Sequence, residues 1–497
     1  MESEHLQSVD VSWGQEPVGI PLTRPAGTFS PTGGEGRDEG VRFMEGLHGS
    51  TTAHRDPELP VGRDSVEPLF DLPTAGEANA VSILPGPERK DARCARTVCD
   101  GRIDSTESCP TFRFMERKCA SPATKRILKR ACWSWIVIIL ALMPGCGAVG
   151  PHTGIRVLDE RDIFVAGEHG YHTFRIPALI STKQGTGLAF CEGRKHSGSD
   201  SGDIDVVLRR STDGGRTWGP IQVVADDGPN TFGNPCAIVD RDTGTIWLLL
   251  THNLGQDRES EIVNQTGQGT RSVLVTYSRD EGLTWAPIKS ITEQVKRPDW
   301  TWYATGPGVG IPLRSGRLVI PCDHIEAGTT RYYSHVIYSD DHGKTWQIGG
   351  RAGPQVNECQ VVERSDGTLL LNMRSHAGKQ CRALSTSDDG GLTWPEVTLA
   401  PELVDPVCQA SLIRSDAGTR TPLLLFSNPA STRREKVTVR VSADEGLTWP
   451  LAQELHTGPS AYSCLGELAD GSFACLYERG EKSPYEKITL ARFKLVR

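Results

Sequence analysis

The chain has 497 residues, of which 37% are hydrophobic and 23% are charged. The 53 glycines and 32 prolines together make up a much smaller share of the 497 residues than the roughly 25–30% that is typical of low-complexity chains. A collagen, a coiled coil or a polytopic membrane protein is therefore excluded for the chain as a whole. The formal net charge of −8 argues against a strongly basic nucleic-acid-binding protein. Eleven tryptophans are many for a chain with only 6% aromatic residues, and their positions are informative.

Residues 1–114 have the composition of a poor folding unit. They contain turn-rich runs of low hydrophobicity, such as 27–40 and 54–68, and no segment keeps a period of 2 or 3.6 residues. Such a segment buries too little apolar surface to offset the entropy lost on ordering. We predict that residues 1–114 are a disordered or untranslated extension.

The composition changes at Met115. Basic residues precede an apolar run of 13 residues, 131–143, and small residues follow it. This order is typical of a secretory signal peptide, whereas a membrane span needs roughly 20 apolar residues. We expect residues 115–150 to be a signal peptide with translation starting at Met115, and an internal membrane anchor is the alternative. The rest of the chain is then expected outside the cytoplasm, as a secreted, periplasmic or membrane-anchored protein.

Eight of the 14 cysteines follow residue 146. The sequence contains no Cys-x-x-Cys pair, the spacing that is typical of structural zinc sites. Export would permit disulfides, but the spacing does not define a pairing. We expect most of these cysteines to be small buried apolar residues. The sequence predicts no metal site and no cofactor.

An eight-residue pattern, Ser-x-Asp-x-Gly-x-Thr-Trp, occurs five times with identical spacing. The copies occupy residues 211–218, 278–285, 339–346, 387–394 and 442–449. Ser and Asp side chains accept hydrogen bonds from nearby backbone N–H groups, and Gly permits a left-handed backbone. Trp supplies a large apolar surface for packing. Because alternating apolar residues flank the copies, each copy predicts a turn between antiparallel strands.

The spacing of this pattern predicts the architecture. Ser211 and Ser442 are separated by four intervals of about 58 residues, so the region 155–497 holds about six such units. β-Propellers have typically 4–8 four-stranded blades. We predict an all-β fold over 155–497: a six-bladed β-propeller of four-stranded antiparallel blades.

The last blade is expected to combine both ends of this region. Strand-like runs at 473–477 and 488–496 would pair with an early strand near 162–166. Closing the ring in this way leaves no open sheet edge. The turn pattern itself is expected to be structural and to mark the outside of each blade.

Polar residues inside strand-like runs away from the turn pattern are the candidates for a functional site, because a propeller gathers residues from several blades around its axis. These candidates are Arg175, Arg194, Asp200, Glu358, Arg374, Arg434, Tyr462 and Glu478. Neighbours that compete with them are Asp203 and Asp205 near Asp200, Arg433 beside Arg434, and Glu467 and Glu481 near Glu478. A single arginine or tyrosine of this kind is usually a surface or packing residue. An unpaired Glu358 in a core strand would be costly, which suggests a functional partner.

These segments resemble the exo-α-sialidases (neuraminidases) of the bacterial secreted and lysosomal type, glycoside hydrolase family thirty-three. The resemblance covers roughly residues 160–497. It is carried by Phe-Arg-Ile-Pro at 174–177, Asn-Glu-Cys-Gln at 357–360 and Ser-Asn-Pro-Ala at 427–430. The five turn patterns correspond to the Asp boxes of that family and occur in the same order.

The resemblance implies a triad of arginines, Arg175, Arg374 and Arg434, that binds the carboxylate of sialic acid. Planar guanidinium groups suit this task because each can donate two parallel hydrogen bonds to a carboxylate. By the same resemblance, Glu478 orients Arg175, and Arg194 is the additional arginine of the acid loop.

The resemblance also implies the catalytic residues. Tyr462 would be the nucleophile, Glu358 its general base and Asp200 the general acid. A neutral tyrosine avoids like charges at the reacting carbon, which carries the substrate carboxylate. The implied activity is release of terminal α-linked sialic acid from glycoproteins, glycolipids or oligosaccharides, with retention of configuration. The implied partners are sialylated glycoconjugates and no nucleic acid, and the oligomeric state is left open.

Two other functions fit the same residues. A trans-sialidase or intramolecular sialidase would differ only in whether water or a sugar hydroxyl resolves the intermediate. A non-catalytic sialic-acid-binding propeller is the third possibility, but a binding module would tolerate loss of Tyr462, Glu358 or Asp200. The aromatic residues Trp300, Trp302 and Tyr303 either line the sugar site or pack between blades.

Overall fold

A computed structural model describes residues 154–416 and 421–496. Nearly all of the regular structure is β-strand, which confirms the prediction of an all-β fold. Within these ranges two short helices interrupt the strands, α1 (Glu259–Val263) and α2 (Thr292–Val295). No helix in the described ranges is long and apolar enough to cross a membrane. The predicted extension (1–114) and the predicted signal or anchor (115–150) lie outside the described residues.

The strands follow one another through the whole of the described chain. The first twelve are β1 (Gly154–Val165), β2 (Thr173–Ser181), β3 (Gly187–Arg194), β4 (Ile204–Ser211), β5 (Gln222–Ala225), β6 (Thr231–Val239), β7 (Ile246–Asn253), β8 (Ser272–Ser278), β9 (Lys289–Ser290), β10 (Trp300–Thr305), β11 (Gly308–Val309) and β12 (Ile311–Pro312). The others are β13 (Leu318–Glu326), β14 (Tyr332–Ser339), β15 (Gln347–Ala352), β16 (Val356–Glu363), β17 (Leu369–Ser375), β18 (Cys381–Ser387), β19 (Thr398–Val404), β20 (Ser411–Ser415), β21 (Leu423–Pro429), β22 (Glu435–Ser442), β23 (Leu451–Glu467), β24 (Phe473–Arg479) and β25 (Lys487–Val496).

Hydrogen bonds join these strands into sheets whose neighbours are mostly consecutive in the chain. One sheet has the order β2-β3-β4-β6-β7-β8-β9, with β5 paired to β4 and β11 to β6. Another has the order β10-β13-β14-β15, with β12 paired to β13, and a third is β16-β17-β18-β19. The last has the order β1-β25-β24-β23-β22-β21-β20. The first half of the long strand β23 pairs with β22, and its second half pairs with β24.

The two ends of the described chain meet in one sheet. Strand β1 pairs antiparallel with β25, so that Gly154 lies opposite Val496 and Val165 opposite Lys487. The predicted early strand and the two predicted C-terminal strands are therefore neighbours. This pairing covers the edge that β25 would otherwise expose.

Each copy of the repeated pattern is a turn held by its own side chains. In the first copy, the backbone N–H groups of Gly215 and Thr217 donate to the Ser211 hydroxyl (2.9 Å) and to the Asp213 carboxylate (2.9 Å). Gly215 has a φ of 79°, a left-handed conformation that a side chain would disfavour. The same serine-to-glycine contact recurs in the other four copies at 2.8–3.0 Å. The predicted turn chemistry is confirmed.

The tryptophans that end these turns join the hydrophobic core. Trp346 and Trp394 are buried, and the tryptophans of the other three copies pack partly buried against neighbouring core clusters. Strands β3, β17 and β21 are buried at every position, and β2, β6 and β16 are buried at every position but the last. The eight cysteines that follow residue 146 are all buried and free, as expected for small apolar residues.

Candidate active site

Three of the candidate residues, Arg175, Glu358 and Tyr462, lie where their strands lose regular pairing. The register of β2 shifts after Arg175, that of β16 shifts between Val356 and Cys359, and that of β23 shifts between Ser460 and Ser463. Side chains of a regular strand alternate between its two faces, and an irregularity of this kind changes the direction in which a side chain points. Ile176 has a φ of 62°, a strained value for a β-branched residue, immediately after Arg175. Strain of this kind is typical of functional sites.

Glu478 holds Arg175 and the backbone around it. Its carboxylate accepts from Nε of Arg175 at 2.9 Å and from the backbone N–H groups of Ile176 (2.8 Å) and Tyr462 (3.0 Å). Glu478 is fully buried. Burial acts to lower the pKa of Arg175, but Glu478 and further neighbours, Asp200 among them, together outweigh it and hold that pKa well above its ordinary value. Of the three candidate glutamates near the C-terminus, Glu478 is the one with these contacts.

Arg374 and Arg434 approach Tyr462 from two further segments. Arg374, at the end of β17, donates to Glu358 at 2.9 Å and to the Tyr462 hydroxyl at 3.2 Å. The guanidinium carbon of Arg434, just before β22, lies 5.8 Å from the centre of the Tyr462 ring. Arg433 instead has a side chain that is 79% exposed and pairs with Glu435. The structure therefore brings Arg434, not Arg433, to the other candidates.

Tyr462 and Glu358 form the closest contact of the site. The Tyr462 hydroxyl donates to Oε1 of Glu358 at 2.6 Å, and both residues are buried. Burial and the Glu358 carboxylate raise the pKa of Tyr462 well above its ordinary value, while Arg374 and Arg434 act in the opposite direction. Arg175 also lies close, with its guanidinium carbon 5.1 Å from the centre of the Tyr462 ring, so a base and three cations surround one neutral phenol.

Asp200 reaches the same cluster from the loop between β3 and β4. It accepts from Nη2 of Arg194 at 2.6 Å and lies 3.8 Å from Nη1 of Arg175, while 60% of its side chain is exposed. Desolvation acts to raise the pKa of Asp200, but Arg194 and Arg175 outweigh it and lower the pKa to about 2. The competing residues Asp203 and Asp205 instead pair with Lys195, at 2.9 Å and 3.2 Å. Only Asp200 of the three is directed to the arginines.

Several further polar residues border the site and were not predicted. Glu192 accepts from Nη2 of Arg194 at 2.7 Å and from the backbone of Asn234 at 2.9 Å. Arg271 is buried, donates to Asn234 and has its guanidinium carbon 3.9 Å from the centre of the Trp302 ring. Glu192 had a sequence signal, since a glutamate two residues before Arg194 shares its face of the strand. Arg271 had no such sequence signal, because it lies in a polar stretch before β8.

Asp323 is a second residue that the sequence did not indicate. It is 1% exposed, and no hydrogen-bond partner of its Oδ2 atom is found in the described part of the chain. Burial, and then the negative charge of Glu358, raise its pKa well above the ordinary value. Both effects favour the protonated form of the Asp323 carboxyl.

The three aromatic residues at 300–303 separate into two groups. Trp300 and Tyr303 are buried, and Trp300 stacks on His324 with ring centres 3.6 Å apart. These two residues pack in the core. Trp302 is partly buried and contacts Arg271, so it is the one of the three on the side of the site.

The turns and the strand order define a protein with a β-propeller-like fold built on Asp-box repeats. In agreement, the BNR repeat-like domain family matches residues 185–475, which is more than half of the chain. A sialidase of Micromonospora viridifaciens is 36% identical over 400 residues, 75% of this chain and 61% of its own length. Human Sialidase-3 is 30% identical over 385 residues, 65% of this chain and 89% of its own. The chain belongs to the sialidase family.

A solved structure gives the same result. The Hadza microbial sialidase Hz136 superposes with a TM-score of 0.62 at 35% identity, covering 67% of this chain and 68% of its own. The chain spans about 61% of the length of the Micromonospora relative and 61% of a Bacteroides fragilis sialidase.

Proposed function

We propose that this protein is a retaining exo-α-sialidase that hydrolyses terminal α-linked sialic acid from glycoproteins, glycolipids or oligosaccharides. A covalent glycosyl-tyrosine intermediate forms on Tyr462. The observation that carries the proposal is the buried Tyr462–Glu358 hydrogen bond of 2.6 Å among three arginines. Family membership supports the same reaction class.

The proposed scaffold is a six-bladed propeller. Its support is the order of strand pairing, which gives six antiparallel sets of four strands. The sets are β2 to β5, β6 to β9, β10 with β13 to β15, β16 to β19, β20 to β22 with the first half of β23, and the second half of β23 with β24, β25 and β1. The eight candidate residues then come from four of these six sets or from the loops beside their strands.

The arginines bind the substrate carboxylate. Arg175 is already held by Glu478, which fixes its orientation and leaves its remaining N–H groups for an anion. Arg374 and Arg434 add two more permanently charged donors. The carboxylate is directly attached to the anomeric carbon, so binding it sets the position of that carbon relative to Tyr462.

Glycosylation of the enzyme follows from these positions. The Tyr462 oxygen attacks the anomeric carbon and forms a C–O bond as its proton passes to Glu358. The bond to the leaving oxygen breaks, and Asp200 gives that oxygen a proton. A water then attacks the same carbon as the bond from that carbon to the Tyr462 oxygen breaks. Asp200 takes the water proton, and Glu358 returns its proton to the released Tyr462 oxygen. Two displacements at one carbon retain its configuration.

Asp200 needs a proton before it can act as an acid. In the free protein its pKa of about 2 keeps it ionised at neutral pH. A bound carboxylate partly neutralises Arg175, one of the two cations that lower this pKa. Substrate binding is therefore expected to raise the pKa of Asp200 and to prepare it for proton transfer.

The proposal is tested on the full chain with a fluorogenic aryl α-sialoside. We expect turnover by the wild type and a loss of about 10³-fold or more in Tyr462→Phe, since the nucleophile is removed. Tyr277→Phe, on β8 beside Trp247, is the matched control and is expected to keep wild-type activity. Absence of turnover by the wild type would overturn the proposal.

Product analysis separates the proposal from its alternatives. By proton NMR, the α-anomer of free sialic acid appears first if configuration is retained. In the presence of lactose, sialyllactose formation would favour a trans-sialidase, and a 2,7-anhydro product would favour an intramolecular sialidase. Binding of sialic acid without any turnover would favour the non-catalytic propeller.

We also propose that the sialidase region is exported, on the grounds of the signal-like composition of residues 115–150. The proposal covers a secreted, periplasmic or membrane-anchored protein. N-terminal sequencing of protein recovered from outside the cytoplasm tests cleavage near residue 150, and an intact 115–150 segment in a membrane fraction would favour the anchor.

A further inference from the structure

Tyr485 contacts two of the three arginines. Its hydroxyl oxygen accepts from Nη1 of Arg434 at 2.7 Å, across 51 residues of sequence. Its ring centre lies 4.0 Å from the guanidinium carbon of Arg175, closer than the Tyr462 ring at 5.1 Å. Tyr485 thus bridges two like charges that come from distant parts of the chain.

The loop that carries Tyr485 has a fixed conformation. It connects β24 and β25, and the Glu486 carboxylate accepts from the backbone N–H groups of Glu481 (3.0 Å), Lys482 (2.8 Å) and Ser483 (3.0 Å). The backbone carbonyl of Glu486 accepts from Ala166 at 2.9 Å, which ties the loop to the end of β1. The position of Tyr485 is therefore set by the backbone around it.

A neutral partner suits Arg434 better than a carboxylate would. Arg175 pairs with Glu478 at 2.9 Å, whereas no carboxylate of the described residues lies within 4.0 Å of the Arg434 guanidinium. A carboxylate there would compete with the carboxylate of the substrate. The phenol oxygen orients Arg434 without cancelling its charge, and the ring face attracts the guanidinium of Arg175.

We propose that Tyr485 is a positioning residue that holds Arg175 and Arg434 at the spacing required by an incoming carboxylate. This inference rests on the proposed function of the site. Holding the two side chains before binding removes part of the entropy cost of ordering them with the ligand. Because the carboxylate is bound in the ground state and in the transition state, loss of Tyr485 is expected to change KM rather than kcat.

The first test compares two tyrosine variants of the full chain. Tyr485→Phe keeps the ring near Arg175 and removes the oxygen that orients Arg434. We expect KM for an aryl α-sialoside to rise about tenfold and kcat to stay within about threefold. The matched control is Tyr338→Phe, because Tyr338 also lies near an arginine (4.1 Å to Arg317) and also uses its hydroxyl, on Gln347 at 3.1 Å. The control is expected to keep the wild-type KM.

The second test measures binding by calorimetry and does not depend on turnover. The probes are a 2,3-unsaturated sialic acid and its methyl ester, which lacks the negative charge. We expect the preference of the wild type for the acid to shrink about tenfold in Tyr485→Phe, or about 1.4 kcal/mol, and to stay unchanged in Tyr338→Phe. Should Tyr485→Phe fail to fold, Glu486→Gln loosens the same loop without touching an arginine and is expected to shrink the preference in the same direction.

The outcomes distinguish this inference from the proposed function. Unchanged KM and unchanged preference in the variant would overturn the role of Tyr485, as would equal losses for the acid and the ester. A wild type that binds the acid but does not hydrolyse the aryl α-sialoside would overturn the proposed hydrolysis. The role of Tyr485 would then be decided by the calorimetry alone. A wild type that does not prefer the acid over the ester would overturn both.

Discussion

The hydroxyl of Tyr462 donates a hydrogen bond of 2.6 Å to Glu358, a residue 104 positions earlier in the chain. The other carboxylate oxygen of Glu358 accepts from Arg374 at 2.9 Å, and the same arginine nitrogen lies 3.2 Å from the tyrosine oxygen. The three groups form a closed triangle. The phenol proton therefore has an acceptor in place, and a developing phenolate would face a guanidinium.

The triangle predicts a strong effect of Glu358→Gln. The amide keeps the shape of the side chain but cannot accept the proton of Tyr462, so kcat is expected to fall about 10²–10⁴-fold. Steady-state hydrolysis of a fluorogenic sialoside measures this. Glu363→Gln, on the same strand and paired with Arg314, is the control and should retain activity. A Glu358→Gln variant with near-normal kcat would remove Glu358 from the mechanism.

The loss of activity in Asp200→Ala is expected to depend on the leaving group of the substrate. An aryl leaving group of low pKa departs with little help, whereas the hydroxyl of a natural sugar needs a proton. We therefore expect a loss of at least about 100-fold on sialyllactose and a clearly smaller loss of glycosylation rate on an activated aryl sialoside. Asp203→Ala, which removes a partner of Lys195, should lack this dependence on the leaving group. Equal losses on both substrates would contradict an acid role for Asp200.

The neighbouring residues Arg433 and Arg434 offer a paired test of the arginine triad. Arg434→Lys keeps the charge but loses the planar fork, and a hydrogen bond to a charged group contributes about 1.5–3 kcal/mol. KM is therefore expected to rise about 10–100-fold. Arg433→Lys changes only an exposed ion pair with Glu435 and should leave KM unchanged. The reverse pattern would assign the triad position to Arg433.

The turns and many of the strands could be predicted from the sequence because their patterns repeat along the chain. Five identical spacings predicted the turns, and alternating apolar residues predicted strands such as β4, β8, β14 and β22. Part of the candidate site could also be predicted, since Arg175 and Glu358 lie in the short motifs at 174–177 and 357–360, which resemble those of a known family. Where several residues of one type were adjacent, only the fold could separate them: Asp200 from Asp203, or Arg434 from Arg433.

Other site residues had no local signal. Tyr485 lies in a polar loop, and its contacts with Arg434 and Arg175 depend on the strands that bring these segments together. Asp323 lies in an apolar strand whose pattern gives no reason to expect a buried carboxyl near Glu358. Contacts of this kind arise from tertiary packing, which the spacing of residues along one strand does not encode.

The Asp-box turns predict a specific pH dependence of stability. In the fourth copy, burial acts to raise the pKa of Asp389, but hydrogen bonds from Ser387, Thr393 and Leu392 outweigh it and lower the pKa to about 2. A carboxyl with a depressed folded-state pKa stabilises the fold above its unfolded pKa of about 3.9, and this contribution is lost as the pH falls towards 2. Asp389→Asn should therefore lower the free energy of unfolding by about 1–2 kcal/mol at pH 7 and by much less near pH 2.

The neighbouring residue provides the control for this prediction. Asp388 is exposed and precedes Asp389 in the same turn, so Asp388→Asn should change the free energy of unfolding by less than about 0.5 kcal/mol. Urea unfolding of both variants and the wild type across pH 2–7 measures the differences. If Asp388→Asn destabilised the protein as much as Asp389→Asn, or if the loss in Asp389→Asn did not depend on pH, the carboxylate would not be what holds the turn. The hydrogen bonds of the Ser387 side chain would then have to hold the turn without Asp389. That result would disagree with the structure, in which the backbone N–H groups of Leu392 and Thr393 donate to the Asp389 carboxylate.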